Sequence, residues 1–130
     1  MEKKKATKKT HNKELGIKGE AAAVRYLEHV GYEIVERNWK CPAGEADIIA
    51  LDEEALVFCE VKTRTSLKRG FPSESVDEKK RARYEKIAAW YLRAYDVGSR
   101  PVRFDVIAVL VVNDDRAMIR HYVNAFGQGF

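Results

Sequence analysis

Gly44-Glu45-Ala46-Asp47-Ile48-Ile49-Ala50-Leu51, then Asp52-Glu53-Glu54-Ala55, then Leu56-Val57-Phe58-Cys59-Glu60-Val61-Lys62-Thr63-Arg64 is the stretch that decides the fold. Two apolar runs, Ala46 to Leu51 and Leu56 to Val61, flank four residues suited to a hairpin loop. Side chains two apart on a strand share a face, so Glu45 goes with Asp47 and Glu60 with Lys62. If Leu51 faces Leu56, paired positions sum to 107, which sets Asp47 opposite Glu60 and Glu45 opposite Lys62. Three carboxylates and one lysine then share a hairpin face. Opposed strand positions lie ~4.5 to 5.5 Å apart, where two carboxylates repel by ~1 to 4 kcal/mol depending on the effective dielectric. Lys62 is one group that could offset this. A divalent cation is the other, since Mg²⁺ favours one or two protein carboxylates plus water and substrate phosphate. The plain alternative is a solvated Glu-Lys lattice, which is what a lone Glu-x-Lys usually is.

On the N-terminal side, Leu15, Gly19, Ala22, Ala23, Tyr26, Leu27 and Val30 recur at helical spacing and predict a helix over 13–30, with Gly31 at its C′ position. Tyr32 to Trp39 alternates as a first strand, ended by the turn residues Cys41-Pro42-Ala43-Gly44. On the C-terminal side, 63–72 is polar, basic and Gly-containing, and reads as a loop. Ser75-Val76-Asp77-Glu78 fits a capping box with Ser75 as the cap, opening a helix over 76–95. The stripe of Tyr84, Ile87, Ala88, Tyr91, Leu92 and Tyr95 would pack that helix on the sheet. Val102 to Val112 is a nearly continuous apolar run, as expected of a strand buried on both faces, and Ala117 to Val123 can return as a last strand. The order is α-β-β-β-α-β-β, an α/β domain over 14–130 that follows a basic tail, expected to be flexible, over 1–13.

The hairpin residues, with Phe58-Cys59-Glu60-Val61-Lys62-Thr63-Arg64 foremost, resemble the D...E-x-K core of the restriction-endonuclease-like superfamily. More closely, the chain resembles the bacterial YraN family. The resemblance covers the Gly19-Glu20 helix, Arg37-Asn38-Trp39, the G-E-x-D strand, E-V-K-T-R, Lys80, and Arg103-Phe104-Asp105-Val106. It implies an αβββαβ core with a mixed central sheet flanked by helices. Archaeal Holliday-junction resolvases of this superfamily order a helix Glu, a strand Asp and an E-x-K motif in the same way, so by similarity Glu20, Asp47, Glu60 and Lys62 take those positions. The resemblance implies catalysis by Asp47, Glu60 and Lys62, with Asp47, Glu60 and Glu20 as ligands of Mg²⁺ or Mn²⁺. Glu45 stands where classical restriction enzymes carry Pro near the motif Asp, and is an additional candidate. Lys80-Arg81-Ala82-Arg83-Tyr84 has the spacing of the Q-x-x-x-Y element of RecB-like nucleases, with Lys at the Gln position.

Charge and composition bound the partners. The chain has 130 residues, 45% hydrophobic and 34% charged, which excludes fibrous and disordered classes. Its net charge of +4 arises in the tail: residues 1–13 carry six Lys and one Glu, leaving 18 basic against 19 acidic residues after them. Within the domain, 62–86 holds nine cations and four acids. Arg64, Lys80, Lys79, Lys68 and Arg69 are therefore the expected nucleic-acid contacts, with Arg64 first because it shares a face with Lys62. Such a tail is either a solubilising arm or a nonspecific phosphate contact. The two cysteines do not make a disulfide framework, and the three histidines lack ligand spacing. Tyr26, Tyr84, Tyr91 and Tyr95 read as core, and Asp105 as a buttress for a Lys or Arg. No run has the length of a membrane span and no signal peptide is legible, so a cytoplasmic protein without membrane partners is expected. The functional expectation is a metal-dependent nuclease acting on DNA, branched DNA included, with a homodimer as one expected state. The alternatives are a catalytically inactive nucleic-acid-binding module of the same fold and a protein-interaction scaffold.

Overall fold

The computed structural model describes residues 8–65, 71 and 76–125. The first seven residues of the tail, the expected phosphate contacts Lys68 and Arg69, and the expected cap Ser75 lie outside them. The elements are α1 (Lys8–His29), β1 (Glu33–Cys41), β2 (Gly44–Asp52), β3 (Ala55–Arg64), α2 (Glu78–Ala94), β4 (Val102–Asn113) and β5 (Arg116–Tyr122). The strands form one mixed sheet in the order β1-β2-β3-β4-β5, in which only β3 and β4 run parallel, joined by the α2 crossover. This is the restriction-endonuclease-like core with one further strand.

Helix α1 begins at Lys8, five residues before the expected start, so part of the basic tail is helical. Its end is a Schellman motif: the Tyr32 N–H donates to Leu27 O and the Gly31 N–H to Glu28 O, with Gly31 at φ 99°. Glycine takes that left-handed conformation without steric cost. Helix α2 is capped by Asp77, whose Oδ1 accepts from the Lys80 N–H at 2.8 Å, and not by Ser75 as the capping-box spacing predicts. Both residues suit an N-cap, and the helix starts two residues after the expected position.

Apolar side chains divide the core between the two faces. Ala22, Ala23 and Leu27 of α1 cover Ile48, Ala50, Val57, Cys59, Ile107 and Val109. Tyr84, Ile87, Ala88 and Tyr91 of α2 cover Ala46, Ile49, Leu56, Phe58, Phe104 and Val106. The α2 stripe is narrower than its spacing predicts: Leu92 remains 40% exposed, and Tyr95, the extended C-cap residue, 46%. Strand β4 is buried from Phe104 to Leu110, as its continuous apolar run requires. On the α1 side, Asp105 is fully buried and accepts from Arg103 Nε at 2.9 Å, from His121 Nε2 at 2.7 Å and from the Asn124 N–H at 2.9 Å. Arg103 also donates to Asp52 and to Tyr32 Oη. Asp105 is thus the expected buttress of an arginine. No helix among the described residues is long and apolar enough to cross a membrane.

Candidate active site

The β2–β3 hairpin keeps the expected register from Asp52↔Ala55 to Ile48↔Cys59, with a two-residue turn at Glu53-Glu54 in place of the expected four-residue loop. The ladder ends there. Asp47 and Glu60 are not paired across it, and neither are Glu45 and Lys62, contrary to the extrapolated register. Instead the Val61 N–H donates to Asp47 Oδ2 at 2.8 Å, so a backbone donor of β3 is satisfied by a carboxylate of β2.

A local break in strand alternation causes the parting. Ala46 and Ile49, three apart, both pack on the α2 side, while Ile48 packs on the α1 side. A period of two cannot produce that pattern. Between the pairs Arg37↔Ile48 and Trp39↔Ala46, Asn38 stands beside Asp47 and takes φ 51°. Asn enters the left-handed region more readily than most residues. A second irregularity, between Ile34 and Glu36, also interrupts the strict alternation expected of β1.

Four carboxylates gather around this break. Burial, first, and then the charges of Glu60, Glu20 and Glu45 push Asp47 up to about 7, against the opposing pull of the Val61 N–H. Burial likewise raises Glu20, opposed by a hydrogen bond from the Asn38 side chain, and the Glu45 charge adds to the rise. The helix carrying Glu20 can come this close because residue 19 is glycine. A Cβ there would overlap Thr63 Oγ1 and lie 2.7 Å from Thr63 Cγ2.

Glu60 occupies the other side, facing α2. Its Oε1 accepts from Lys80 Nζ at 2.7 Å, and the Tyr84 hydroxyl also hydrogen-bonds its carboxylate. Lys80 and Tyr84 are one helical turn apart and reach the same group. Burial, then the neighbouring Lys80 charge, hold the Lys62 ammonium below its ordinary value, while Glu60 opposes them. Arg64 and Lys79 are exposed. Of the expected site residues, Glu20, Glu45, Asp47 and Glu60 therefore come together, with Lys62 and Lys80 beside Glu60. Lys80 meets a carboxylate here, where its charge alone predicts a phosphate.

Two participants escape a reading of residue types: Tyr84, which reads as core and is indeed only 1% exposed, and Asn38. The Lys80-x-x-x-Tyr84 spacing was the available signal for the first. Nothing local marks the second beyond Asn's tolerance of positive φ. Among the described residues, no three His, Cys, Asp or Glu side chains form a ready-made metal cage. The hard carboxylates of Asp47 and Glu60 are nevertheless the donor type that suits Mg²⁺, which needs only one or two of them and keeps several waters.

The chain matches the model of the uncharacterised protein family UPF0102 over residues 19–109, which includes every residue of this cluster. It is 50% identical to a UPF0102 protein of Beutenbergia cavernae over 107 residues, covering 82% of this chain and 91% of that one. A UPF0102 protein of Moorella thermoacetica is 49% identical over 98 residues, 75% of this chain and 82% of its own. One from Geobacter sulfurreducens is 42% identical over 116 residues, 89% and 91% of the two chains. The expected YraN-type resemblance and these matches point to the same group. The chain belongs to the uncharacterised protein family UPF0102.

Proposed function

We propose that the protein is a divalent-metal-dependent nuclease that hydrolyses phosphodiester bonds in DNA, with branched DNA among its substrates. The observation that carries this reading is Asp47, a half-buried carboxylate raised to about 7 among three other carboxylates, at the point where β2 and β3 part beside Glu60 and Lys62. Such crowding is unfavourable for the chain alone and is relieved by a cation.

Asp47 and Glu60 would hold Mg²⁺ or Mn²⁺, with Glu20 at the edge of the site and Glu45 adding negative charge. The bound cation would polarise the phosphate and lower the pKa of a water. The Val61 N–H fixes the Asp47 carboxylate by gripping one of its oxygens. Lys62, a compact charge two residues beyond Glu60 on the same face, would orient the attacking water or neutralise charge developing on the phosphoryl oxygens. Arg64 and Lys79 would hold flanking phosphates, and Lys80 and Tyr84 would set the rotamer of Glu60.

The Lys80–Glu60 ion pair also favours a second reading, a nucleic-acid-binding module without turnover, because it neutralises one carboxylate without a metal. A cleavage panel of linear, flapped, junction and single-stranded DNA and RNA with Mg²⁺ or Mn²⁺, beside Asp47→Ala and Lys62→Ala, decides between them. The nuclease reading predicts cleavage by the wild type that both substitutions abolish. Salt-sensitive binding without cleavage supports the second reading. No cleavage together with no Asp47-dependent Mn²⁺ binding by calorimetry overturns the first.

A further inference from the structure

We propose that Arg120 on β5 is a further phosphate-binding residue, which extends the DNA-backbone track from Lys62 across the sheet. This rests on the nuclease or DNA-binding reading of the site. The register carries it: Lys62 is the partner of Ala108 across β3 and β4, and Ala108 is the partner of Arg120 across β4 and β5. Partnered residues on neighbouring strands point to one face, so Lys62, Ala108 and Arg120 form a row.

Packing identifies the face. One row away, Glu60, Val106 and Tyr122 are aligned, and Val106 and Tyr122 belong to the α2-side cluster. Tyr26 on α1 instead meets His121, the neighbour of Arg120. Arg120 therefore lies on the Lys62 side, where Ala108 contributes only a methyl between the two cations. The Arg64, Leu110 and Met118 row is adjacent and adds a third cation. At ~4.8 Å per strand, Lys62 and Arg120 are anchored ~10 Å apart, about three steps of ~3.4 Å along one DNA strand.

Arg120 is exposed and makes no ion pair with an acid among the described residues. Its guanidinium carbon lies 4.3 Å from the centroid of the Phe71 ring, a cation–π contact that restrains the side chain without neutralising its charge. A residue in this role adds affinity without reading sequence.

The test is fluorescence anisotropy of labelled duplex and junction DNA without metal, over a salt series, for the wild type, Arg120→Gln and Arg120→Lys. Arg25→Gln, an exposed arginine of α1, serves as control, with melting curves for all four proteins. Arg120→Gln is expected to weaken binding about three- to tenfold for every sequence and to flatten the log K against log salt slope by about 1. Arg120→Lys should retain most of the slope, and Arg25→Gln should match the wild type. If the wild type binds and a folded Arg120→Gln matches it, the Arg120 assignment is wrong while the site reading stands. If the wild type neither binds nor cleaves DNA, both fall.

Discussion

Asp47 holds a proton more tightly in the folded chain than in the unfolded one. Its folded value of about 7 is set by burial first and then by Glu60, Glu20 and Glu45, whereas an unfolded Asp titrates near ~3.9. Between those values the folded chain retains a proton that the unfolded chain has released, so stability falls as pH rises through the window. Above about pH 7 the penalty is complete, on the order of 4 kcal/mol for a shift of about three units. Asp47→Asn removes the charge but keeps an acceptor for the Val61 N–H. In metal-free buffer the variant should therefore be more stable than the wild type at pH 8, and the difference should shrink toward pH 5. Urea denaturation across that range checks it, and a difference that stays flat contradicts the crowding. Adding Mg²⁺ at pH 8 should raise the wild-type melting temperature and leave Asp47→Asn unmoved, because only a ligand that prefers the folded site stabilises it.

At the scale of elements, the approach of α1 to β3 depends on the missing side chain of residue 19. Gly19→Ala must push the helix away from Thr63 and carry Glu20 with it. Overpacking of this kind costs roughly 1 to 3 kcal/mol. Thr63→Ala removes both overlapping γ atoms but leaves Thr63 Cβ 2.9 Å from the added methyl, so the double variant should recover only part of the loss, as thermal melts of the four proteins would show. If Gly19→Ala melts like the wild type, the close approach is not what positions α1. The same elements explain how far a reading of the chain could go. Leu51 facing Leu56 follows from hydrophobic runs and a short turn, and the register it implies holds through Ile48 and Cys59. Its extension to Asp47 and Glu60 fails because alternation was assumed to continue. The break lies opposite Asn38 on β1, a neighbour nine residues away whose left-handed φ no periodicity announces. Glu20, Asp47 and Glu60 could still be named from motif order, since order survives a local kink. Lys80 and Tyr84 were visible as a spacing, but their shared target requires the crossover that lays α2 over Glu60.

Over the whole molecule, the sheet separates two kinds of polar construction: the carboxylate cluster at the parting of β2 and β3, and the Arg103–Asp105 network under α1. The second ties distant parts of the chain, with Asp52 and Tyr32 on Arg103 and His121 and Asn124 on Asp105. An arginine partner for Asp105 is foreseeable from the two-residue spacing on one strand face. His121 is not, since its contacts with Asp105 and Tyr26 span 16 and 95 positions of sequence. Burial, the largest single influence, pushes the Asp105 carboxyl up, but the hydrogen bonds from His121, Arg103 and Asn124 together hold it below its ordinary value. A depressed carboxylate contributes stability above its unfolded pKa of ~3.9, and that contribution is lost as pH falls through the lower folded value. Arg103→Met keeps most of the side-chain volume and leaves Asp105, which is fully buried, without its main cation. Breaking a buried pair in this way costs roughly 3 to 5 kcal/mol. Urea denaturation at neutral pH should show that loss, and it should narrow in acid as pH falls toward and through the lowered folded value of Asp105, where the wild-type pair also loses its charge. Asp105→Asn in the Arg103→Met background removes the orphaned charge and should restore part of the stability. A deficit that neither acid nor the second substitution reduces would mean that Arg103 acts through packing on Tyr32 rather than through its charge.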